Sequence, residues 1–249
     1  MNTDQTLTQM RNLRLSGMAL AYQTILQMPL HEQPTSDLLI AQLIEAELLE
    51  RNHCKMISNI KAAKFRYQAA IEDVEFIPQR NLDKNVILSL ANTSFIKRGE
   101  NVLITGATGS GKSYLASALG YQACQMGLKV GYFSMTKLLQ RLQLAKADGS
   151  FMRELNKIER MNLLILDDWG LQPLDMQTKL SLLQIIEDRH GRSSTIITSQ
   201  LPVEDWFEYI AEPTVADAIL DRLLQQAHRI EITGESMRKR KKMEENINQ

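Results

Sequence analysis

The chain has 249 residues, 44% hydrophobic and 23% charged, so it can bury a sizeable core and is too apolar for wholesale disorder. Basic and acidic residues balance at 29 each, which excludes a global positive field as a sign of nucleic-acid binding. The spacing of Cys54 and Cys124 suggests neither a disulfide framework nor a zinc site. With no export signal and no apolar run of about 18 residues, we expect a cytoplasmic protein without membrane contact.

Residues 1–77 are predicted to form a small all-helical N-terminal domain. Apolar residues recur at three-and-four spacing over Leu7–Leu26 and over Leu38–His53, with two prolines between these stretches. Ser36 is placed to cap the second helix. Such a domain could recruit a partner or form a self-contained bundle, and the sequence leaves both open.

A basic stretch lies near the end of this domain. It contains no acidic residue between Glu50 and Tyr67, and Phe65 and Tyr67 lie among its last basic residues. Lysine, arginine and aromatic side chains in this pattern predict a phosphate-contacting DNA surface, although a solvated helix face is the alternative. The candidate DNA contacts are Arg51, Lys55, Lys61, Lys64 and Arg66.

From residue 78 to 249, short apolar strands alternate with longer amphipathic helices. This alternation predicts an α/β domain in which helices flank a five-stranded parallel sheet. The strands are expected at Val102–Thr105, Val130–Ser134, Leu163–Asp167, Thr195–Ser199 and Arg229–Thr233. The helices are expected at Lys112–Met126, Thr136–Ala147, Phe151–Arg160, Gln177–His190 and Thr214–Ala227.

A glycine-rich loop, GATGSGKS, lies between the first of these strands and the helix that follows. Strand, loop and helix in this order predict a P-loop rather than a glycine-rich turn with a surface lysine. The glycines open backbone amides to phosphate, Lys112 adds a mobile positive charge, and the Ser113 hydroxyl is a ligand for Mg²⁺. The residues expected to contact ATP are Gly106, Ala107, Thr108, Gly109, Ser110, Gly111, Lys112, Ser113 and Tyr114.

Two aspartates end the third predicted strand, which reads LLILDD. A carboxylate at the end of a neighbouring strand can hold the magnesium ion from the far side, and this role is expected of Asp167. Asp168 is then placed to orient and polarise the attacking water. Alone, such a run is a strand followed by a turn; after a P-loop, it predicts hydrolysis of ATP with Mg²⁺ as cofactor.

Together with these motifs, six ordered blocks resemble AAA+ ATPases, specifically the insertion-sequence ATP-binding proteins of the IstB type, which are related to the DnaC helicase loader. The resemblance covers nearly the whole chain and implies an AAA+ fold, here with little or no C-terminal lid. The blocks are LSGMALAY, AKF, LDDWG, ITSQLPVEDW, ILDRLL and GESMR.

The resemblance also implies a sensor at the tip of the fourth strand. In AAA+ proteins a polar residue there contacts the γ-phosphate or the attacking water, and relatives typically carry asparagine where this chain has Gln200. Glutamine keeps the amide on a longer arm, so Gln200 is the expected sensor, with Ser199 beside it. The alternative is a strand-ending turn before Pro202.

An arginine finger is implied by the family's match to residues 217–222, and Arg222 is the residue expected to fill this role. It would reach the nucleotide of the next subunit and stabilise transition-state charge. The alternative is a surface arginine paired with Asp217 or Asp221. Arg189 is the reserve candidate for the finger, and Arg238 in GESMR is a candidate second sensor.

The function implied is that of an ATP-dependent, DNA-binding regulator of transposition. ATP would promote a homo-oligomer on duplex DNA, and this assembly would recruit or stimulate a separate transposase. A DnaC-like loader of a replicative helicase is the first alternative, and a neighbouring transposase gene would discriminate against it. A small-molecule kinase with the same P-loop is the second, which Arg222 and the sensor tip disfavour.

Overall fold

The computed structural model describes residues 3–234 and 236–237. Contacts divide the chain into two compact units, Met1–Ser58 and Asn59–Gln249. This division precedes the predicted boundary at residue 77, because side chains from the intervening stretch enter the core of the second unit. As a limit between functional domains, residue 77 stays a prediction. The buried residues of the intervening stretch are Ala63, Ala69, Ile71 and Val74.

The first unit is helical. It contains α1 (Thr3–Asn12), α2 (Ser16–Leu26) and most of α3 (Ser36–Ala63), which continues into the second unit. The single helix predicted over residues 7–26 is wrong, because Arg14 has a left-handed φ of 60° between α1 and α2.

The second predicted helix is longer than its apolar pattern, which stops at His53. Its start also differs from the prediction: the Leu39 amide donates to the Thr35 carbonyl at 2.8 Å. Thr35 therefore holds the N-cap position, and Ser36 is already helical.

A buried carboxylate joins α2 to α3 within the first unit. Glu47 is 6% exposed and accepts hydrogen bonds from the amides of Gly17 at 2.9 Å and Met18 at 3.3 Å. Arg51 Nε donates to the same carboxylate at 2.8 Å. The bond from Arg51 and those from the two amides lower the pKa of Glu47, which favours a charged carboxylate at the helix N-terminus.

The described part of the second unit contains one five-stranded parallel sheet, which confirms the predicted α/β fold. Its strands are β1 (Asn101–Gly106), β2 (Val130–Ser134), β3 (Leu163–Trp169), β4 (Ser194–Ser199) and β5 (Ala227–Ile232). Their order across the sheet is β2-β3-β4-β1-β5. Each predicted strand is present, with small shifts at the ends.

Helices cover both faces of the sheet. Along β1, Val102 and Ile104 enter one core cluster and Leu103 enters the other, so both faces are buried and the strands are continuous apolar runs. None of the helices in the described ranges combines the length and apolar character that a bilayer crossing requires. The helices are α4 (Lys84–Ala91), α5 (Ser94–Arg98), α6 (Lys112–Gln125), α7 (Met135–Ala147), α8 (Phe151–Glu159), α9 (Met176–Arg189), α10 (Trp206–Ile210) and α11 (Pro213–Leu224).

The strand order brings the ends of β3, β4 and β1 together at one edge. In a parallel sheet all carboxyl ends lie on the same edge, where α/β proteins bind their ligands. The loop after β1, the aspartates of β3 and the tip of β4 therefore meet, although 93 positions separate Gly106 from Ser199.

Candidate functional site

The loop between β1 and α6 needs glycine at several positions, of which Gly106 and Gly111 are two. Gly106 and Gly111 have φ values of 144° and 99°. A Cβ atom on Gly106 would lie 2.2 Å from the Ile232 carbonyl oxygen, and one on Gly111 would lie 2.6 Å from Arg80 Nη2. Because α6 begins directly after this loop, the free amides of its first turn are available to an anion.

One side chain of the loop and one from the start of α6 fit a bound phosphate. Lys112 Nζ donates to the carbonyl oxygens of Gly106 at 2.7 Å and Ala107 at 2.8 Å. Burial lowers the pKa of Lys112, while the charges of the strand-end aspartates oppose this shift. Ser110 Oγ is buried and has no hydrogen-bond partner among the described residues. A phosphate oxygen in the loop would satisfy this hydroxyl and attract the ammonium group.

Asp167 is completely buried and accepts hydrogen bonds on both carboxylate oxygens. Ser113 Oγ donates to Oδ1 at 2.7 Å, and the Thr198 hydroxyl donates to the same atom. The Tyr132 hydroxyl and Arg66 Nη1, at 3.2 Å, donate to Oδ2. Burial and the Asp167 charge raise the pKa of Tyr132, which keeps its phenol a donor.

The oxygen atoms of Ser113 and Asp167 are chemically suited to Mg²⁺. A hydroxyl on the first turn of α6 and a carboxylate at the end of β3 are hard ligands. Mg²⁺ commonly takes few ligands from the protein and completes its shell with water and substrate phosphate. The donor set therefore fits the predicted metal site.

The backbone of β3 is irregular at Asp168. The register with β4 shifts between Leu166 and Trp169, and Asp168 has a left-handed φ of 64°. Its amide donates to Thr198 Oγ1 at 3.2 Å, while its carboxylate, 29% exposed, accepts from Arg66 Nη1 at 3.1 Å. A bulge re-aims side chains, and strained non-glycine backbone is concentrated at functional sites.

The tip of β4 reaches the P-loop through one of its two predicted residues. Thr108 Oγ1 donates to Gln200 Oε1 at 2.7 Å. Ser199 is fully buried; its hydroxyl donates to the Trp169 carbonyl at 2.9 Å and accepts from the Leu201 amide at 3.0 Å. Ser199 therefore shapes the turn, whereas Gln200 lies beside the loop.

Arg80 contacts the P-loop but belongs to none of the sequence motifs. Its Nη2 donates to the Ser110 carbonyl and its Nη1 to the Glu75 carbonyl, both at 2.8 Å, and the residue is 9% exposed. Tyr132 and Thr198 were also missed as contacts of the aspartate. No signal in the sequence identifies these residues, because only the sheet topology brings them to the site.

Arg222 lies on α11 in a surface ion pair. Its Nη1 donates to the Ala218 carbonyl and its Nη2 pairs with Glu187 on α9, both at 2.9 Å. The partner is thus neither Asp217 nor Asp221, the two suggested by sequence. The Arg222 side chain is 26% exposed and that of Glu187 is 56% exposed. The role of Arg222 toward another subunit stays a prediction.

Arg189, the reserve candidate, is a structural residue. It is 2% exposed and donates to the carbonyls of Ile158, Met161 and Ser194. Burial lowers the pKa of Arg189 to about 10. Because its donors are occupied inside the core, it cannot reach a neighbouring subunit. Arg238 lies outside the described residues.

The five candidate DNA-contacting residues have different surroundings. Arg51 is paired with Glu47 in the first unit, and Arg66 is bonded to the two aspartates of β3. The DNA role of the whole set stays a prediction. The members whose side chains are exposed without a described ion pair are Lys55, Lys61 and Lys64.

The chain is similar to proteins encoded by insertion sequences. The family model described as IstB-like ATP binding protein matches residues 8–245. An insertion sequence ATP-binding protein of Sinorhizobium fredii, y4pL, is 43% identical over 234 residues, or 94% of this chain and 96% of that protein. The ATP-binding protein of insertion sequence IS1162 from Pseudomonas fluorescens is 40% identical over 203 residues, covering 81% of this chain and 88% of that protein.

Solved structures share the fold of most of this chain. The crystal structure of the DnaC helicase loader has a TM-score of 0.58 at 21% identity and covers 69% of this chain and 100% of that chain. The replication initiator DnaA, bound to AMPPCP and single-stranded DNA, has a TM-score of 0.60 at 20% identity and covers 74% of this chain and 57% of that chain. These structures establish the AAA+ P-loop fold, and the family match spans both units. This chain therefore belongs to the family of IstB-like ATP-binding proteins.

Proposed function

We propose that this protein is a magnesium-dependent ATPase that regulates DNA transposition. ATP assembles its subunits on duplex target DNA, the assembly recruits or stimulates a separate transposase, and hydrolysis controls the assembly. The observation that carries the proposal is the meeting of the P-loop with Asp167 and Asp168 at one edge of the sheet. The names of the relatives, which are ATP-binding proteins of insertion sequences, support the context of transposition.

The P-loop residues exchange internal contacts for contacts with phosphate. Lys112 now bonds to two neutral carbonyls, and its charge makes stronger bonds with the β- and γ-phosphates. Ser113 and Asp167 would hold Mg²⁺, which when bound neutralises phosphate charge during transfer. Gln200, already bonded to Thr108 of the loop, is placed to contact the terminal phosphate or the attacking water.

Asp168 is the residue proposed to activate water. It differs from its neighbour Asp167, which is fully buried and occupied by hydroxyl donors, because its carboxylate is partly exposed. The bulge of β3 aims it away from the direction that strand alternation would give. A base needs both proximity to the phosphates and access to water, and the partly exposed carboxylate of Asp168 beside Asp167 supports this role.

Arg222 can serve a neighbouring subunit without disturbing its own fold. Its ion pair with Glu187 is at the surface, and such pairs contribute about 0–1 kcal/mol. Exchange of Glu187 for a nucleotide phosphate of the next subunit therefore costs little. A finger supplied in this way makes hydrolysis depend on assembly.

DNA binding in this proposal comes from the assembly. The balanced charge of one protomer gives no general attraction for DNA, whereas aligned copies of the exposed Lys61 and Lys64 form a continuous basic track. Phosphate contacts of this kind are sequence-tolerant and weaken as salt rises.

Electron microscopy and hydrolysis assays on the protein with ATP and duplex DNA test the proposal, with Lys112→Ala as the matched control. We expect ordered assemblies and DNA-stimulated hydrolysis from the parent, and neither from the variant. Addition of a cognate transposase should then increase strand transfer on DNA that carries the assembly. Assembly and turnover that ignore DNA, or delivery of a replicative helicase instead, would contradict the proposal.

A further inference from the structure

Arg66 is bonded to both aspartates at the end of β3. Its Nη1 donates to Asp167 Oδ2 at 3.2 Å and to Asp168 Oδ2 at 3.1 Å. Two adjacent carboxylates repel each other, and a guanidinium shared between them reduces this repulsion. The other described donors to the Asp167 carboxylate are hydroxyls, so the positive charge in direct contact with the pair comes from Arg66.

Aromatic contacts on both sides of Arg66 fix it at this place. The Phe65 ring packs edge-on against Tyr132 at 6.2 Å, and the Tyr67 ring packs against Tyr114 at 6.2 Å. The Arg66 guanidinium also lies 5.7 Å from the Tyr67 ring centroid. We call residues 65–67 the aromatic clasp. Because Tyr132 bonds to Asp167 and Tyr114 follows Ser113, both anchors belong to the candidate site itself.

Phe65 is seated at a position in α6 that requires glycine. A Cβ atom on Gly120 would lie 2.6 Å from Phe65 Cε1 and 2.7 Å from Ile165 Cδ1. The missing side chain at Gly120 of α6 therefore leaves room for the Phe65 ring of the clasp. Arg66 itself remains 43% exposed, so its side chain can leave the carboxylates.

We propose that Arg66 is a resident counter-cation of the Asp167–Asp168 pair and competes with Mg²⁺ for it. This inference rests on the magnesium role proposed above for Asp167. A divalent cation near the same carboxylate oxygens repels the guanidinium and replaces the neutralisation that it provides. Loading with metal and nucleotide then releases Arg66 and loosens the aromatic clasp.

The release has a direct consequence for the basic stretch. Lys61 and Lys64 precede the clasp by a few residues in the second unit, and Lys64 has a left-handed φ of 56° at the point where α3 has ended. A freed Arg66 adds a third exposed positive charge to this segment. Metal loading thus changes the surface expected to contact DNA phosphates, with no need for a long-range pathway.

The test is a titration with Mg²⁺ of the binding of a fluorescent, non-hydrolysable ATP analogue. In Arg66→Gln, the Mg²⁺ concentration for half-maximal binding should fall by roughly threefold to tenfold. This range corresponds to the loss of one partly exposed ion pair, here the one between Arg66 and the two aspartates. Lys97→Gln removes an equal charge from an exposed side chain of α5 that has no described contact with the carboxylates, and it should behave like the parent. Arg66→Lys should lie between Arg66→Gln and the parent, because it keeps the charge but not the planar fork.

Hydrogen exchange on the unmodified protein gives a second measurement that needs no variant. Amides of residues 64–67 should exchange faster after Mg²⁺ and the analogue are added. An unchanged or higher Mg²⁺ requirement in Arg66→Gln, or exchange in the clasp that does not respond to metal, overturns the inference while the metal site stands. If the parent itself binds the analogue without regard to Mg²⁺, the proposed metal role is wrong and the competition falls with it.

Discussion

Replacement of Arg80 by methionine tests whether this buried arginine holds the P-loop in its binding conformation. Arg80 donates one hydrogen bond to the Ser110 carbonyl and one to the Glu75 carbonyl, both at 2.8 Å. Hydrogen bonds from a charged donor contribute about 1.5 kcal/mol or more each, so the free energy of unfolding should fall by about 3 kcal/mol. Methionine keeps most of the side-chain volume and removes the donors of both described bonds.

About half of this loss should appear as weaker ATP binding. The bond to Ser110 lies within the loop that must be ordered around phosphate, and its share of about 1.5 kcal/mol corresponds to about a tenfold higher Kd. Titration with a fluorescent ATP analogue, well below the unfolding temperature, measures the Kd. Urea unfolding followed by circular dichroism measures the stability.

Arg189→Met is the matched control for this experiment. Arg189 is also buried and donates to backbone carbonyls, but it does so at Ser194, where β4 begins, away from the edge that carries the P-loop. The Arg189→Met variant should lose at least as much stability as Arg80→Met and should keep the ATP affinity of the parent. The reasoning is refuted if Arg80→Met binds ATP as tightly as the parent, or if Arg189→Met loses affinity to the same extent.

Three further predictions concern the proposed roles. Lys112→Ala should abolish ATP binding, whereas Asp168→Asn should bind ATP and lose at least about 100-fold in turnover; equilibrium binding and phosphate release separate them. Arg222→Ala subunits mixed with Lys112→Ala subunits should regain hydrolysis at mixed interfaces; mixed assemblies that remain inactive would exclude a finger in trans. Changing Lys61 and Lys64 together to Glu should weaken binding to unrelated duplexes by similar factors and leave ATP affinity unchanged.

The sheet could be predicted from sequence because its strands are buried on both faces. Val130–Ser134 and Leu163–Asp167 are nearly continuous apolar runs ended by polar residues, a pattern that depends on local composition alone. The helices α4, α5 and α10 were missed because they are short and their apolar residues lack several turns of periodicity.

The N-terminal helices show where periodicity misleads. Leu13 and Leu15 continue the apolar pattern through the break between α1 and α2, so the pattern gives no warning of the left-handed backbone at Arg14. In α3 the opposite happens: the helix continues to Ala63, ten residues beyond the predicted stretch. Hydrophobic spacing reports which face is buried, and it reports helix ends only when the burial ends with the helix.

The candidate site was predictable where its residues follow one another in the chain. Gly106 to Ser113 are consecutive residues and could be identified as one motif, and Asp167 follows from its place at a strand end. Arg80 and Tyr132 could not be found, because each becomes a neighbour of the site only through the strand order. Arg66 was predicted to contact DNA because it lies in a basic stretch. That pattern gives no sign of its bonds to Asp167 and Asp168, which are 101 and 102 positions away.

Four arginines of the described structure differ in the groups that accept their hydrogen bonds. This difference decides which contacts are permanent and which can be exchanged. Arg80 and Arg189 are buried and donate to backbone carbonyls, which stay in place as long as the fold does. Arg66 and Arg222 are partly exposed and donate to carboxylates, and such contacts can be exchanged. A metal ion can replace Arg66 at its carboxylates, and a phosphate can replace the Glu187 carboxylate at Arg222. A sequence shows four arginines of equal charge. The geometry indicates that two of them support the fold and that the other two can change partners when ATP and magnesium bind.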